Sequence, residues 1–329
     1  MIDGLSFSLL TPPLIAFTVT LILTGWLIKN NVLKVLDHPN PRSLHTRAVR
    51  RTGGLGMMLG VAISWASIPA ALPISVSLGV ALLVLVSFAD DIFGLPVLGR
   101  LLMHGAVAIW FSVALLSEAR GWMVATIITI SVVWMINLYN FMDGSDGLAG
   151  GMTLIGFTCY GLTALLAGNE SFAVINFCIA AAAAAFLIFN FYPARIFMGD
   201  AGAIPLGFLA ASLGMIGWTK GLWPPWLPVL VFSPFIADAS VTLAKRCLSG
   251  EKFWQAHRAH YYQRMVRSGL GHRNTALLGY ILMVSAGVSA MWAAHEDIAV
   301  QLGVGIVWGG IYLSMMIVSE RYLERCPGD

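Results

Sequence analysis

The sequence predicts an all-α, polytopic integral membrane protein, and three observations carry that prediction. Of 329 residues, 58% are apolar and only 11% charged, whereas a soluble domain is about a quarter charged. The mean hydropathy is +0.81. The apolar residues fall in continuous runs of roughly 20, the length a helix needs to cross a hydrocarbon core, and lack the period-two alternation of a membrane barrel. So few charges exclude a soluble enzyme and a disordered tail, and a net charge of +3 excludes a nucleic-acid binder.

Taken in order, the runs predict about eleven spans, at 9–28, 55–73, 75–93, 101–117, 122–139, 149–167, 172–191, 203–218, 226–245, 275–294 and 297–318. The first has neither a cationic leader nor a persuasive cleavage site, so it reads as a retained span and not a signal peptide. Alternating eleven spans puts 17 of the 19 Lys and Arg on one side, in 29–54, 94–100, 140–148, 192–202, 246–274 and 319–329 together with Lys245 at a helix end. Only Arg120 and Lys220 fall on the other. By the positive-inside rule the N-terminus is then outside, the C-terminus cytoplasmic, and the first five of those loops form a cytoplasmic active face. No internal repeat or low-complexity linker divides the chain, so 1–329 reads as one membrane-embedded domain. Cys159, Cys178, Cys247 and Cys326 form no close pair, which argues against a disulfide framework or zinc knuckle.

The informative residues are acids where apolar spans end: Asp90 and Asp91, Asp143 and Asp146, and Asp200. Ionisable groups at membrane level are costly and are functional candidates by default. From Asp91 to Asp143 is 52 residues and from Asp143 to Asp200 is 57, each fitting two crossings plus turns, so every descending helix delivers its acid to the same depth. In Ala89–Gly94 the adjacent acids point about 100° apart, so one can hold a metal while the other faces another ligand. Asn137, Asn140 and Asp143 share one helix flank, and Gly144 and Gly147 let the backbone turn or approach a ligand closely. Two amides followed by two acids suit a ribose and a base, or a metal's second shell. The Asp143–Gly147 string falls short of a calcium loop, whose terminal Glu is missing. Glycines on both sides of Asp200 leave room for a phosphate, with Arg195 as a bidentate cation for it. Three hard-oxygen donors at a cationic face suggest Mg²⁺, with Mn²⁺ as its substitute.

Two cationic loops complete the pattern. The first carries Asp37, His38, Arg42, His45, Arg47, Arg50 and Arg51, then Thr52-Gly53-Gly54 entering a helix, which reads as an anion seat with Arg51 beside it. The last carries His257, Arg258, His260 and Arg264; if helical, His257, His260 and Arg264 lie on one face. Donors for a pyrophosphate fit these residues better than a zinc site, which lacks a third ligand. Asp238, seven residues before Lys245 and inside the ninth span, either lines the cavity or pairs with a cation.

In their order and combination, Asp90-Asp91-Ile92-Phe93-Gly94, Asn137–Leu148, Phe197–Gly202 and the histidine loop resemble the polyprenyl-phosphate N-acetylhexosamine-1-phosphate transferase family (WecA/MraY-like, glycosyltransferase family 4), from about Asp37 to Arg273. The stretch Gly250–Met265 is most similar to the WbpL-type subgroup that begins O-antigen synthesis. The resemblance implies transfer of a HexNAc-1-phosphate, or a 6-deoxy variant, from a UDP-sugar to undecaprenyl phosphate with release of UMP, at the cytoplasmic face of a bacterial inner membrane. It also implies Asp200 as principal Mg²⁺ ligand with Asp91 nearby, and Asp90 facing the lipid phosphate. Asn140, Asp143 and Asp146 would then bind the nucleotide, and His257 and His260 would stand in the family's histidine loop. The chain departs from MraY, which has three consecutive histidines, in reading His257-Arg258-Ala259-His260. Partners are therefore the UDP-activated sugar, the polyprenyl phosphate and membrane lipid, with no nucleic acid and a homodimer left open. The alternative is a transporter or flippase with its acids as an ion relay; such acids should lie near the midplane, whereas five of the six here gather at one surface.

Overall fold

The computed structural model describes residues 7–30, 35–37, 43–45, 48–68, 72–116, 121–251 and 257–325. His38, Arg42 and Arg47 of the first cationic loop, and Arg120, lie outside the described residues. The helices are α1 (Phe7–Asn30), α2 (Gly53–Trp65), α3 (Ile74–Phe93), α4 (Val97–Leu115), α5 (Gly121–Met142), α6 (Leu148–Leu166), α7 (Glu170–Asn190) and α8 (Asp200–Thr219). They continue as α9 (Leu227–Val231), α10 (Ser233–Leu248), α11 (Tyr261–Met265), α12 (Gly271–Ala293) and α13 (Ile298–Arg325). A two-stranded antiparallel ribbon, β1 (Leu36–Asp37) with β2 (Val49–Arg50), sits between α1 and α2. The chain is a polytopic helical membrane protein: among the described residues nine helices are long and apolar enough to cross a bilayer.

Two of the expected spans take a different form. The one at 55–73 is the 13-residue α2, which starts two residues earlier and stops at Trp65. It runs antiparallel to α7, with Gly53 at the level of Phe186 and the Trp65 indole donating to the Ile175 carbonyl. The span at 226–245 is broken at Phe232 (φ −97°, ψ 11°), just before Pro234, which has no N–H to continue a helical ladder. Such interruptions survive at membrane depth only inside protein, and Phe232 is buried among Tyr139, Phe157 and Tyr160.

Lipid is as apolar as a leucine side chain, so helices in a bilayer associate through close packing of small residues. α8 is the axis of this packing: 17 of its 20 residues are buried, against α2, α3 and α5. A methyl at Gly207 would meet the Met135 carbonyl of α5 at 2.6 Å, and one at Gly79 of α3 would meet Phe208 at 3.0 Å. α13 has the opposite character, with Ile298, Leu302, Ile306 and Leu313 exposed toward lipid. The expected start at residue 203 is corrected to 200, so Asp200 belongs to the first turn of α8, where a carboxylate meets the positive helix end. Lys220 caps the far end, about 30 Å away.

Candidate active site

The first loop reaches Asp200 through backbone pairing that no local pattern announces. Arg50 bridges Ile196 in parallel, Phe197 N donates to Arg50 O (2.7 Å), Gly53 N to Phe197 O (3.0 Å) and Gly54 N to Met198 O (2.8 Å). The Gly53 and Gly54 amides are therefore consumed by the segment before Asp200, and the expected anion seat at α2 is corrected to a docking joint. The glycines beside Asp200 serve the same joint: Gly202 lies against Gly54, and Gly199 (φ +71°) against the Arg51 carbonyl. They leave no space for a phosphate.

This joint places Arg51 between acids. Its Nη2 is 3.1 Å from Asp200 Oδ1 and its Nε 3.8 Å from Asp91 Oδ1. Arg100, at the start of α4, stands 2.6 Å from Asp90 Oδ2 and 3.5 Å from Asp200 Oδ2. Asp90 is fixed by the Leu95 amide (2.6 Å), and Asp91 Oδ2 accepts from Ala201 N (3.4 Å), which ties the end of α3 to the start of α8. Asp143 closes the group: burial pushes its carboxyl well above the usual range, Arg51 opposes this, and Asp200 and Asp91 add to it. Asp90, Asp91 and Asp200, one depth by the sequence spacing, thus meet in space together with Asp143.

Asp143 and Arg51 also border a polar cavity of about 380 Å³, whose wall includes Asp37, His45, Asn140, Ser145, Asn190, His257 and Gln263. His45 Nε2 is buried there without a hydrogen-bond partner, 3.8 Å from Asp37. Burial, then the neighbouring His260 and Arg246, lower His257 to about 4, with Asp238 opposing. The ring is thus neutral at pH 7; Ala259 N donates to its Nδ1 (3.3 Å), which leaves Nε2–H as the donor it can offer.

His257 and His260 do not share a helical face with Arg264, because 257–260 is not helical and α11 begins at Tyr261. His260 lies behind the cavity wall, between Phe141 and Tyr262, with Nδ1 3.3 Å from Asp238 Oδ1. Asp238 is the anchor of this loop: it accepts from Thr242 Oγ1 (3.1 Å), Tyr261 N (2.9 Å) and Tyr262 N (3.0 Å). Removing the acceptor strands buried N–H groups, each costing about 1–3 kcal/mol. Asp238→Ala is therefore expected to raise amide exchange at Tyr261 and Tyr262 at least tenfold, read by hydrogen–deuterium exchange; unchanged protection would refute the anchor.

Five further expected ligand residues stand apart from the cavity. Asn137 donates to its own helix at Val133 O (2.7 Å). Arg195 is exposed and lies over Phe189, 4.8 Å from the ring centre, with Nη2 3.5 Å from Ile188 O. Arg264 makes a two-point ion pair with Glu320 (2.8 and 2.9 Å), and with Arg258 lines a separate basic pocket. Asp146 is spent on structure: Oδ2 accepts from Ala194 N (2.9 Å). Sequence reasoning missed Arg100, although it is the lone cation of 94–100, and it missed Ser145, Asn190 and His272. Asn190 accepts from Gly147 N (3.1 Å) and donates to Ile196 O (3.0 Å), holding the glycine turn to the segment before Asp200.

Among the described residues, no three metal-ligating side chains form a ready cage. The donor set nevertheless fits a divalent ion. Four carboxylates against two guanidinium groups leave an excess of two negative charges when all are ionised. Mg²⁺ needs only one or two carboxylates, with waters and phosphate oxygens completing its octahedron.

These features define a membrane-embedded protein whose acid–arginine cluster opens onto a polar cavity at one end of the helical bundle. Residues 73–217, from the residue capping α3 to the last turns of α8, match the glycosyl transferase family 4 model. The "Probable undecaprenyl-phosphate N-acetylglucosaminyl 1-phosphate transferase" of Bacillus subtilis is 26% identical, with 97% of this chain and 94% of that protein aligned. The decaprenyl-phosphate N-acetylglucosaminephosphotransferase of Mycobacterium tuberculosis H37Rv is 28% identical over 84% of this chain and 81% of its own length. The undecaprenyl-phosphate alpha-N-acetylglucosaminyl 1-phosphate transferase of Escherichia coli K12 is 26% identical over 79% and 77%.

Proposed function

We propose that this chain transfers an N-acetylhexosamine 1-phosphate from a UDP-sugar to a polyprenyl phosphate, undecaprenyl phosphate in the first instance, releasing UMP at the cytoplasmic face of the membrane. One observation carries the reading: acids from α3, the α5–α6 turn and α8 converge with Arg51 and Arg100 beside a polar cavity. The names of the relatives support the same reaction class. A transporter would spread its acids along a path between the two bundle ends, and Asp238 too is bonded at the cluster's end, through α11.

In this reading an oxygen of the lipid phosphate bonds to the sugar-bearing phosphorus, and the bridging oxygen departs with UMP. The acceptor's second pKa is about 6, so it is largely dianionic at pH 7 and needs no strong base. What the site must supply is charge neutralisation and alignment. Asp200 and Asp91 would hold Mg²⁺, which when bound offsets phosphate charge. Asp90, gripped by Arg100, would orient the lipid phosphate; Arg100 lies at the edge of the bundle, near the exposed Leu98 and Leu101. Arg51, His257 and Asn140 would position the donor, His257 through a neutral N–H. Initiation of O-antigen or a related surface polysaccharide is the pathway this product would serve.

Purified protein given polyprenyl phosphate, Mg²⁺ and a panel of UDP-HexNAc donors should release UMP and form a lipid-diphosphate sugar, identified by mass spectrometry. EDTA should stop the release, and Mg²⁺ or Mn²⁺ should restore it. No UMP from any donor would overturn the reading, and a phosphorylated protein trapped without acceptor would overturn direct displacement.

A further inference from the structure

His272, at the start of α12, joins pieces of the cavity that are far apart in sequence. Its Nε2 lies 3.3 Å from the Leu44 carbonyl, its Nδ1 3.0 Å from Ser145 Oγ and 3.4 Å from Asp146 N, and its ring stacks on Tyr192 at 5.9 Å. These partners fix the tautomer. A carbonyl only accepts, so Nε2 carries the proton; the Asp146 amide only donates, so Nδ1 carries the lone pair. Asp146 Oδ1, at 3.7 Å from Nδ1, is beyond hydrogen-bond reach.

With Nδ1 an acceptor, the Ser145 hydroxyl must spend its single proton on His272. Ser145 lines the cavity, and its oxygen lone pairs are what it has left to offer there. A hydroxyl free to rotate would accept or donate as needed; this one is held in one sense by the imidazole. We propose that His272 is a positioning residue that fixes Ser145 Oγ as an acceptor, and that Ser145 reads an N–H or O–H donor on the nucleotide part of the substrate. The proposal rests on the nucleotide-sugar reading above and adds to it the groups that discriminate the ligand. His272 also clamps the Leu44 segment, and that second role must be separated from the first.

The two roles separate by substitution. His272→Asn places an amide oxygen near the Nδ1 position and keeps an acceptor for Ser145 while losing the Leu44 contact. His272→Gln places a donor near the Nε2 position and keeps Leu44 while losing Ser145. UMP is the probe, titrated calorimetrically against full-length protein in nanodiscs, with thermal denaturation as the check on folding. Ser145→Ala and His272→Gln should each weaken UMP about five- to tenfold, the worth of one neutral hydrogen bond, and the effects should not add in the double variant. His272→Asn should stay within about twofold of the unmodified protein, and KM for the UDP-sugar should follow UMP affinity with kcat little changed. Equal losses in Asn and Gln variants, or full UMP affinity in Ser145→Ala, would overturn the assignment while the nucleotide-sugar reading stands. An unmodified protein that neither binds UMP nor releases it would end that reading and this inference with it.

Discussion

Asp200→Asn is expected to lower UMP release by at least about 10³-fold while the protein remains folded, the scale of loss seen when preorganised charge is removed from a transition state. The carboxylate holds Arg51 at 3.1 Å and Arg100 at 3.5 Å, and so connects the two cations that face the cavity and the bundle edge. The amide is nearly isosteric, so packing around the first turn of α8 is kept. It has no charge, so the excess of negative charge over Arg51 and Arg100 falls from two to one, and affinity for a divalent ion falls with it. The fold should hold, because loss of the ion pairs to Arg51 and Arg100 is offset by relief of the repulsion between ionised Asp200 and Asp90, Asp91 and Asp143. Steady-state UMP release, with gel filtration and thermal denaturation as controls, tests the expectation. Activity retained in a folded Asp200→Asn protein would remove the metal assignment. Asp91→Asn should act in the same direction, since Asp91 Oδ2 reaches the Ala201 amide directly after Asp200.

The sequence displayed its helices because a bilayer demands continuous apolar runs, and α3 through α8 lie within a few residues of where those runs predict them. Convergence of the acids was legible for a related reason: crossings have a fixed length, so acids 52 and 57 residues apart return to one depth. Depth says nothing of lateral neighbours. Arg51 and Asp200 are 149 residues apart and meet through a bridge between Arg50 and Ile196 that has no period to read. Arg195, close to Asp200 in sequence, turns instead to Phe189. If helical, the histidine loop would align His257, His260 and Arg264; instead the helix starts after His260, which caps it, while Asp238 receives the Tyr261 and Tyr262 amides. Nothing local singles out Ser145, because its partner, His272, is 127 residues away.

The joint between α2 and α8 gives the second large effect, and it is a structural one. Gly54→Ala is expected to destabilise the protein by about 3 kcal/mol or more and to abolish activity, although no acid or cation is touched. The added methyl would run into the Cα and N of Gly202 and come within 2.6 Å of the Met198 carbonyl. All of these are backbone atoms, those of Gly202 in the most buried helix of the bundle and that of Met198 in the segment leading into it, so none can swing aside as a side-chain tip would. α2 would have to retreat, which costs overpacking strain of about 1–3 kcal/mol. It would also break the hydrogen bonds from Gly53 and Gly54 to Phe197 and Met198, each worth about 1 kcal/mol. Arg51 lies three residues before Gly54 and is carried on the same joint, so its contacts to Asp91 and Asp200 open as the helix withdraws. Gly303→Ala on α13, where the new methyl meets nothing within 4 Å, is the control and should leave stability and rate unchanged. Thermal denaturation and UMP release of the two variants decide the matter: a Gly54→Ala protein as stable and active as Gly303→Ala would show that the joint between α2 and α8 does not hold the site together.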